Sequence, residues 1–215
     1  MPARRRLLSL WLGLLSMALI ISGIAFAFRI WNADQLKVVP VSSPGIRALM
    51  DSAIEQTRVT TGYDPAYVRI PYPGGDVPPN TGVCSDVIIR AFRKAGIDLQ
   101  VKVHEDMRAN FAAYPRQWGL KKPDPSIDHR RVPNLMTYFK RRGKSTAITR
   151  KTDDYRPGDV VVWDFGYGKV HTGLVSNRQY PKTKKFLIIH NVGMGTRLED
   201  RLFDWPIIGH YRYFR

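Results

Sequence analysis

Apolar residues follow a helical period in the first half of the chain and a shorter, strand-like pattern in the second. Helices are predicted over residues 43–54, 86–95, 104–114 and 132–142, where apolar positions recur at three- to four-residue spacing. Ser43 is a candidate N-cap, and Gly96, Pro115 and Gly143 stop the later helices. Short β-rich runs follow at residues 160–163, 170–176, 186–190 and 207–213. Helices first and a meander-like antiparallel sheet second indicate an α+β domain.

One long segment fits neither pattern. Residues 63–83 hold five prolines and the Gly74-Gly75 pair, which disfavours any helix or central strand. Loops of this length inside a compact domain are usually functional or disordered. Because this loop directly precedes Cys84, we expect it to wall a cleft.

The N-terminus has the pattern of a membrane anchor. Arg4, Arg5 and Arg6 precede an uncharged, mostly apolar run of 22 residues, 7–28. A helix of roughly 20 residues crosses a bilayer core, and flanking arginines stay on the cytoplasmic side. We expect an anchor over residues 1–28, a linker over 29–42 and one domain over 43–215. The alternative is a signal peptide cleaved at the motif Ala25-Phe26-Ala27.

Charge narrows the choice of partners. The chain has 34 basic and 18 acidic residues, a net charge of +16. Without the four arginines of residues 1–33, 30 basic residues still face 18 acidic ones, a net +12. Such a balance favours an anionic partner such as a nucleic acid, a phospholipid surface or a wall polymer. The export or anchoring segment makes a nucleic-acid partner the least favoured of these.

Cys84 is the single cysteine and stands where the 63–83 loop gives way to a helix. In an oxidising compartment it cannot be half of an internal disulfide. At a helix start, free N–H groups and the helix dipole stabilise a thiolate, so we expect a lowered pKa for this thiol. The position is that of a nucleophile.

A cysteine nucleophile needs a base and an orienting group. His171 lies in an apolar predicted strand, and His190 ends the next one. Adjacent antiparallel strands can bring the two imidazoles side by side, at the end of the sheet where the helix of Cys84 begins. Either histidine taken singly is as compatible with a structural role.

This order of motifs resembles the NlpC-type papain-like cysteine peptidases of bacterial cell walls. Residues 72–85 are similar to the loop that enters that family's active-site helix, and residues 157–161 to its Pro-Gly-Asp strand start. Residues 171–175 are similar to its strand bearing the general-base histidine, and His190 matches the third position. Val83 stands where the broader family has an Asp, and Asp86 follows two residues after the cysteine. Residues 63–213 further resemble a family of bacterial envelope proteins within that superfamily, assigned as peptidoglycan hydrolases.

The resemblance implies a papain-like fold and a peptidoglycan endopeptidase that needs no cofactor and no metal. Cys84 would be the nucleophile, His171 the base and His190 the orienting residue. The domain would lie in the periplasm, tethered to the inner membrane or released there, with peptidoglycan as partner and secretion or division machinery as a further one. Nucleic acid would not be a partner.

Five further residues are predicted to contact substrate: Tyr72, Asp86, Asp128, His129 and Arg130. The segment 124–134 also contains metal-ligand residue types, but it fits no known zinc spacing, so a polar loop or helix cap is the favoured interpretation. Two other functions remain open: amidase or acyltransferase chemistry on the same fold, and a wall-binding scaffold without catalysis.

Overall fold

The computed structural model describes residues 36–214. The predicted anchor, its arginines and the alternative cleavage motif lie outside this range. Within residues 36–214, no helix is both long enough and apolar enough to span a bilayer.

Four α-helices lie between residues 44 and 141. They are α1 (Pro44–Val59), α2 (Cys84–Lys94), α3 (Leu99–Ala109) and α4 (Val132–Arg141). Short 3₁₀ turns occur at Phe111–Ala113, Asp128–Arg130 and Thr152–Asp154. The Ser43 cap is confirmed, since its hydroxyl accepts a hydrogen bond from the Ile46 amide at 3.4 Å. As predicted, residues 63–83 contain neither helix nor strand.

The predicted start of α3 is wrong. The helix begins at Leu99 rather than at residue 104, because the Asp98 carboxylate caps it by accepting a hydrogen bond from the Gln100 amide at 2.9 Å. The side chains of Leu99, Val103 and Met107 form its buried face. The segment 104–106, predicted to open the helix, therefore lies in its interior.

Five strands of the second half and one short strand at residues 37–38 form a sheet, and the α+β prediction is confirmed. Its strands are β1 (Lys37–Val38), β2 (Val160–Asp164), β3 (Val170–Gln179), β4 (Phe186–Asn191), β5 (Thr196–Glu199) and β6 (Ile207–Tyr211). The main path runs β5-β4-β3-β2-β6, with antiparallel pairing throughout, and β1 pairs with β3 off this path. A simple meander is therefore wrong at its end, because β6 returns to pair with β2. The prediction also lacked β1 and β5.

The two faces of the sheet carry different cores. Val160 and Val162 of β2 belong to the larger cluster, which contains the buried faces of the helices and Cys84. Val161 and Trp163, pointing the other way, belong to a smaller cluster that includes Tyr155 and Leu202. Strands β3 and β4 continue this alternation, and the side of the sheet that each histidine faces follows from it.

Candidate active site

Cys84 is the first residue of α2, as the sequence predicted. The preceding Val83 is the N-cap, and its amide donates to Asp86 Oδ2 at 2.7 Å. This hydrogen bond between the N-cap amide and the Asp86 carboxylate fixes the start of the helix, and it thereby fixes the position of Cys84.

The expected fall in the thiol pKa is wrong. Cys84 is only 6% exposed. Burial raises the pKa of its thiol to about 11, although backbone hydrogen bonds from Thr172, Ser85 and Cys84 itself work against the rise. The helix start supplies the expected N–H groups, but removing the sulfur from water costs the thiolate more than these groups return.

The predicted neighbourhood of the two histidines is confirmed. His171 lies near the start of β3 and His190 near the end of β4, and His171 Nε2 is 2.8 Å from His190 Nδ1. Gly173 makes this approach possible. A Cβ at that position would lie 2.7 Å from Ile188 Cγ2 and 3.1 Å from His190 Cβ.

A carboxylate that the sequence reasoning missed extends the pair. Glu199 Oε2, on the neighbouring strand β5, lies 3.1 Å from His190 Nε2. The register pairs His190 with Arg197 and Ile188 with Glu199, so Glu199 is a diagonal neighbour of His190 on the same face. No local signal marks Glu199; only the β4–β5 register identifies it.

Burial favours the neutral form of both imidazoles. Burial lowers the pKa of His171 to about 3, with a further contribution from His190. Burial also lowers the pKa of His190, against the raising effect of Glu199. Around the His171 ring, Phe165 and Trp163 stack at centroid distances of 4.8 and 5.7 Å.

The thiol and the histidine pair are neighbours through the backbone. Cys84 Sγ meets the backbone of Thr172, the residue that follows His171. The His171 ring packs with Trp163 and Phe165 of the smaller cluster, whereas Cys84 belongs to the larger one. Within residues 36–214 no hydrogen bond joins Cys84 Sγ to either imidazole, so the hydrogen-bonded part of the candidate site is the histidine pair.

Two of the predicted substrate residues bind each other. Arg130 Nε and Nη2 donate to the two carboxylate oxygens of Asp86 at 2.8 and 2.9 Å, and both side chains are 3% exposed. This buried bidentate pair joins the first turn of α2 to the 3₁₀ turn Asp128–Arg130. The contacts of these two residues thus hold Cys84 in position.

Of the other predicted substrate residues, Asp128 and His129 lie in the same 3₁₀ turn as Arg130, and Tyr72 lies in the 63–83 loop. Asp128 and His129 are buried; burial raises the pKa of Asp128 to about 6 and lowers that of His129 to about 4. Tyr72 is 42% exposed and packs edge-on against His104. Tyr63, which the sequence reasoning did not single out, lies near the thiol: its pKa is raised by burial and by the charges of Cys84 and Asp86.

In the part of the chain that the structure describes, no group of three or more His, Cys, Asp or Glu side chains is placed to hold a metal ion. A cavity of about 660 Å³ lies between the start of α1 and the Arg156 and Arg212 side chains, and Cys84 does not line it.

Fold and site together define an α+β domain with a buried cysteine at a helix start and a coupled histidine pair on two neighbouring strands. The chain belongs to the family described as "Domain of unknown function (DUF1287)", which it matches over residues 50–213. It is 50% identical over 177 residues to a protein of Escherichia coli (strain K12) named "Uncharacterized protein YijF", covering 82% of this chain and 86% of the relative.

Similar solved structures include NlpC1 of Trichomonas vaginalis, at a TM-score of 0.42 and 13% identity, and a lipoprotein-like NLP/P60-family protein of Staphylococcus aureus, at 0.43 and 16%. The matches cover 82% and 83% of this chain, but 46% and 44% of the solved chains, so the chain spans about half of their length.

Proposed function

We propose that the domain is a cysteine hydrolase that cleaves amide bonds in peptidoglycan stem peptides or cross-bridges. The observation that carries the proposal is the position of Cys84: it starts a helix and touches the backbone beside His171, which is hydrogen-bonded to His190. The candidate nucleophile thus contacts the residue that follows the candidate base, and the candidate base is hydrogen-bonded to the candidate orienting group. The order of motifs along the sequence supports the same assignment.

The chemistry would proceed through an acyl-enzyme. His171 takes the thiol proton as sulfur attacks the peptide carbonyl, and the same proton passes to the departing amine as the C–N bond breaks. Water then attacks the thioester, again with His171 as base, and releases the carboxylic acid and the thiol. Backbone N–H groups at the start of α2 would stabilise the oxyanion.

The resting state implied by the raised thiol pKa is a neutral thiol beside a neutral imidazole. Proton transfer must therefore accompany attack, rather than precede it as in a preformed ion pair. It also requires the Cys84 side chain and the His171 ring to come within hydrogen-bond distance when substrate binds. Catalytic hydrogen bonds that are long without substrate commonly tighten in the complex.

A non-catalytic wall-binding domain is the second candidate. One observation favours it: the thiol is buried and has no hydrogen bond to an imidazole, which is the environment of an inert structural cysteine. Under this alternative the histidine pair would serve the packing of the smaller cluster.

The test is release of soluble fragments from purified peptidoglycan. We expect the full chain to release them, Cys84→Ala and His171→Ala to lose at least about a hundredfold in rate, and Thr183→Ala in the exposed turn between β3 and β4 to keep it. Thermal unfolding of each variant checks the fold. Equal release by parent and Cys84→Ala would rule out the thiol mechanism, and binding without release would favour the scaffold.

Mass spectrometry of the products identifies the bond cut, because an amidase would leave a free lactyl group on the sugar.

The proposal includes a place for the reaction. The apolar run 7–28 supports attachment to a bacterial inner membrane, with the domain in the periplasm beside its substrate. The net charge of +16 supports contact with anionic envelope components. Secretion or division machinery would be the partner that confines the activity.

A further inference from the structure

Three side chains form a line across the sheet. The His171 and His190 rings share a contact of 2.8 Å between Nε2 and Nδ1, and Glu199 Oε2 lies 3.1 Å from the remaining nitrogen of His190. The three side chains belong to the neighbouring strands β3, β4 and β5. One ring nitrogen of His190 faces His171 and the other faces Glu199. Neutral imidazoles in such a line can carry their protons in only a few ways.

The carboxylate decides among these arrangements. An ionised carboxylate only accepts hydrogen bonds, so His190 must carry its proton on Nε2. Its Nδ1 is then an acceptor, and His171 must carry its own proton on Nε2. The lone pair of His171 is thereby left on Nδ1, the nitrogen that neither His190 nor Glu199 engages.

Glu199 has an arginine neighbour as well as His190. Arg201 Nε lies 3.6 Å from Glu199 Oε2, and the Glu199 side chain is 28% exposed. Arg201 is in turn fixed by Asp204, with 2.7 Å between Nη1 and Oδ2. Glu199, Arg201 and Asp204 are among the charged groups that shift the pKa of His190.

We propose that Glu199 is a positioning residue, whose carboxylate sets the proton arrangement of both histidines and leaves His171 Nδ1 as the base. Its role as a determinant of the tautomers stands by itself; its role in catalysis rests on the proposed function. Glu199 acts on the base His171 only through His190. In a catalytic triad the carboxylate orients the base histidine directly, whereas here a second histidine lies between them.

Nitrogen-15 NMR of the histidine side chains in the full chain, at neutral pH, tests the tautomers directly. We expect both His171 and His190 as Nε2–H tautomers in the parent. In Glu199→Gln, the side-chain amide can donate to His190 Nε2, so the Nδ1–H tautomers of His190 and His171 should become populated. Glu199→Asp retains a carboxylate and should keep the parental tautomers. Identical tautomers in parent and Glu199→Gln, or Nδ1–H tautomers in the parent, would overturn the proposal.

Hydrolysis of defined muropeptides gives the second readout. We expect Glu199→Gln to lower kcat at least about tenfold with KM little changed, and Glu199→Asp to recover part of the loss. A kcat equal to that of the parent would refute the catalytic role. If the parent itself shows no hydrolysis while the tautomers behave as stated, the proposed function fails and the assignment of Glu199 stands. The two failures are thus distinguishable.

Discussion

At the residue scale, two opposing effects act on the Cys84 thiol. The start of α2 offers backbone N–H groups, which favour the thiolate, and burial disfavours it. Burial prevails and raises the pKa to about 11. Sequence reasoning could identify the helix start from the local pattern, but not the burial, which arises from β3 packing against the helix terminus. The location of the cysteine was therefore predictable and its ionisation was not.

The raised pKa predicts slow alkylation of Cys84 by iodoacetamide in the folded chain. At pH 7 a thiol with a pKa near 11 is about one part in ten thousand thiolate, whereas a free cysteine of pKa about 8.5 is about 3% thiolate. We expect a rate about 300-fold lower than that of the same protein unfolded in urea, rising about tenfold per pH unit to pH 10. Mass spectrometry against time measures both rates. A folded rate at or above the unfolded rate at pH 7 would show a stabilised thiolate and contradict the prediction.

At the element scale, the Asp86–Arg130 ion pair is the main polar link between α2 and the Asp128–Arg130 turn. Removing one partner of a buried pair leaves the other charge unpaired, which costs about 3–5 kcal/mol. We expect Arg130→Ala to lower the free energy of unfolding by this amount. We expect a similar loss for Asp86→Ala, which leaves the Arg130 guanidinium unpaired and also removes the acceptor of the Val83 amide.

Urea unfolding of the two single variants and the double variant measures the coupling. The double variant should lose clearly less than the sum of the single losses, because it contains no unpaired buried charge. Arg58→Ala is the matched control. Its ion pair with Glu55 lies on the exposed surface of α1, so its loss should be at most about 1 kcal/mol. Additive losses at Asp86 and Arg130 would mean that the pair contributes no specific interaction.

The elements that the sequence predicted well are those with a local signature. Helices α1, α2 and α4 combine an apolar period with a cap or a terminal glycine, and β2 to β4 are apolar runs between turn residues. The start of α3 was misplaced although Asp98 and the Leu99, Val103, Met107 spacing carry the signal. Strand β5 is only four residues long and three of them are polar, so its pairing with β4 defines it more than its own sequence does.

At the scale of the whole molecule, the candidate site depends on contacts distant in sequence. The His171–His190 pair could be predicted because the two histidines lie on consecutive antiparallel strands. Glu199 could not, because its place follows from the β4–β5 register. Nor could the sequence predict that the rings face the smaller cluster while Cys84 belongs to the larger one. That separation depends on the residue-by-residue alternation of β3 about Thr172.

The N-terminal sequence predicts how the whole chain is held in the cell. The apolar run 7–28 predicts that a transmembrane helix anchors the chain. We expect the C-terminally tagged full chain to fractionate with the inner membrane, to resist extraction by high salt or carbonate, and to retain Met1 when its intact mass is measured. Recovery in the soluble periplasmic fraction with a new N-terminus after Ala27 would establish the cleaved signal instead.

A variant with Leu14→Arg and Ile20→Arg should lose membrane attachment and export together, because two charges in the apolar run abolish its insertion. Attachment that persists in this variant but is released by high salt would identify the net positive charge of the chain, rather than the apolar run, as what holds the protein to the membrane.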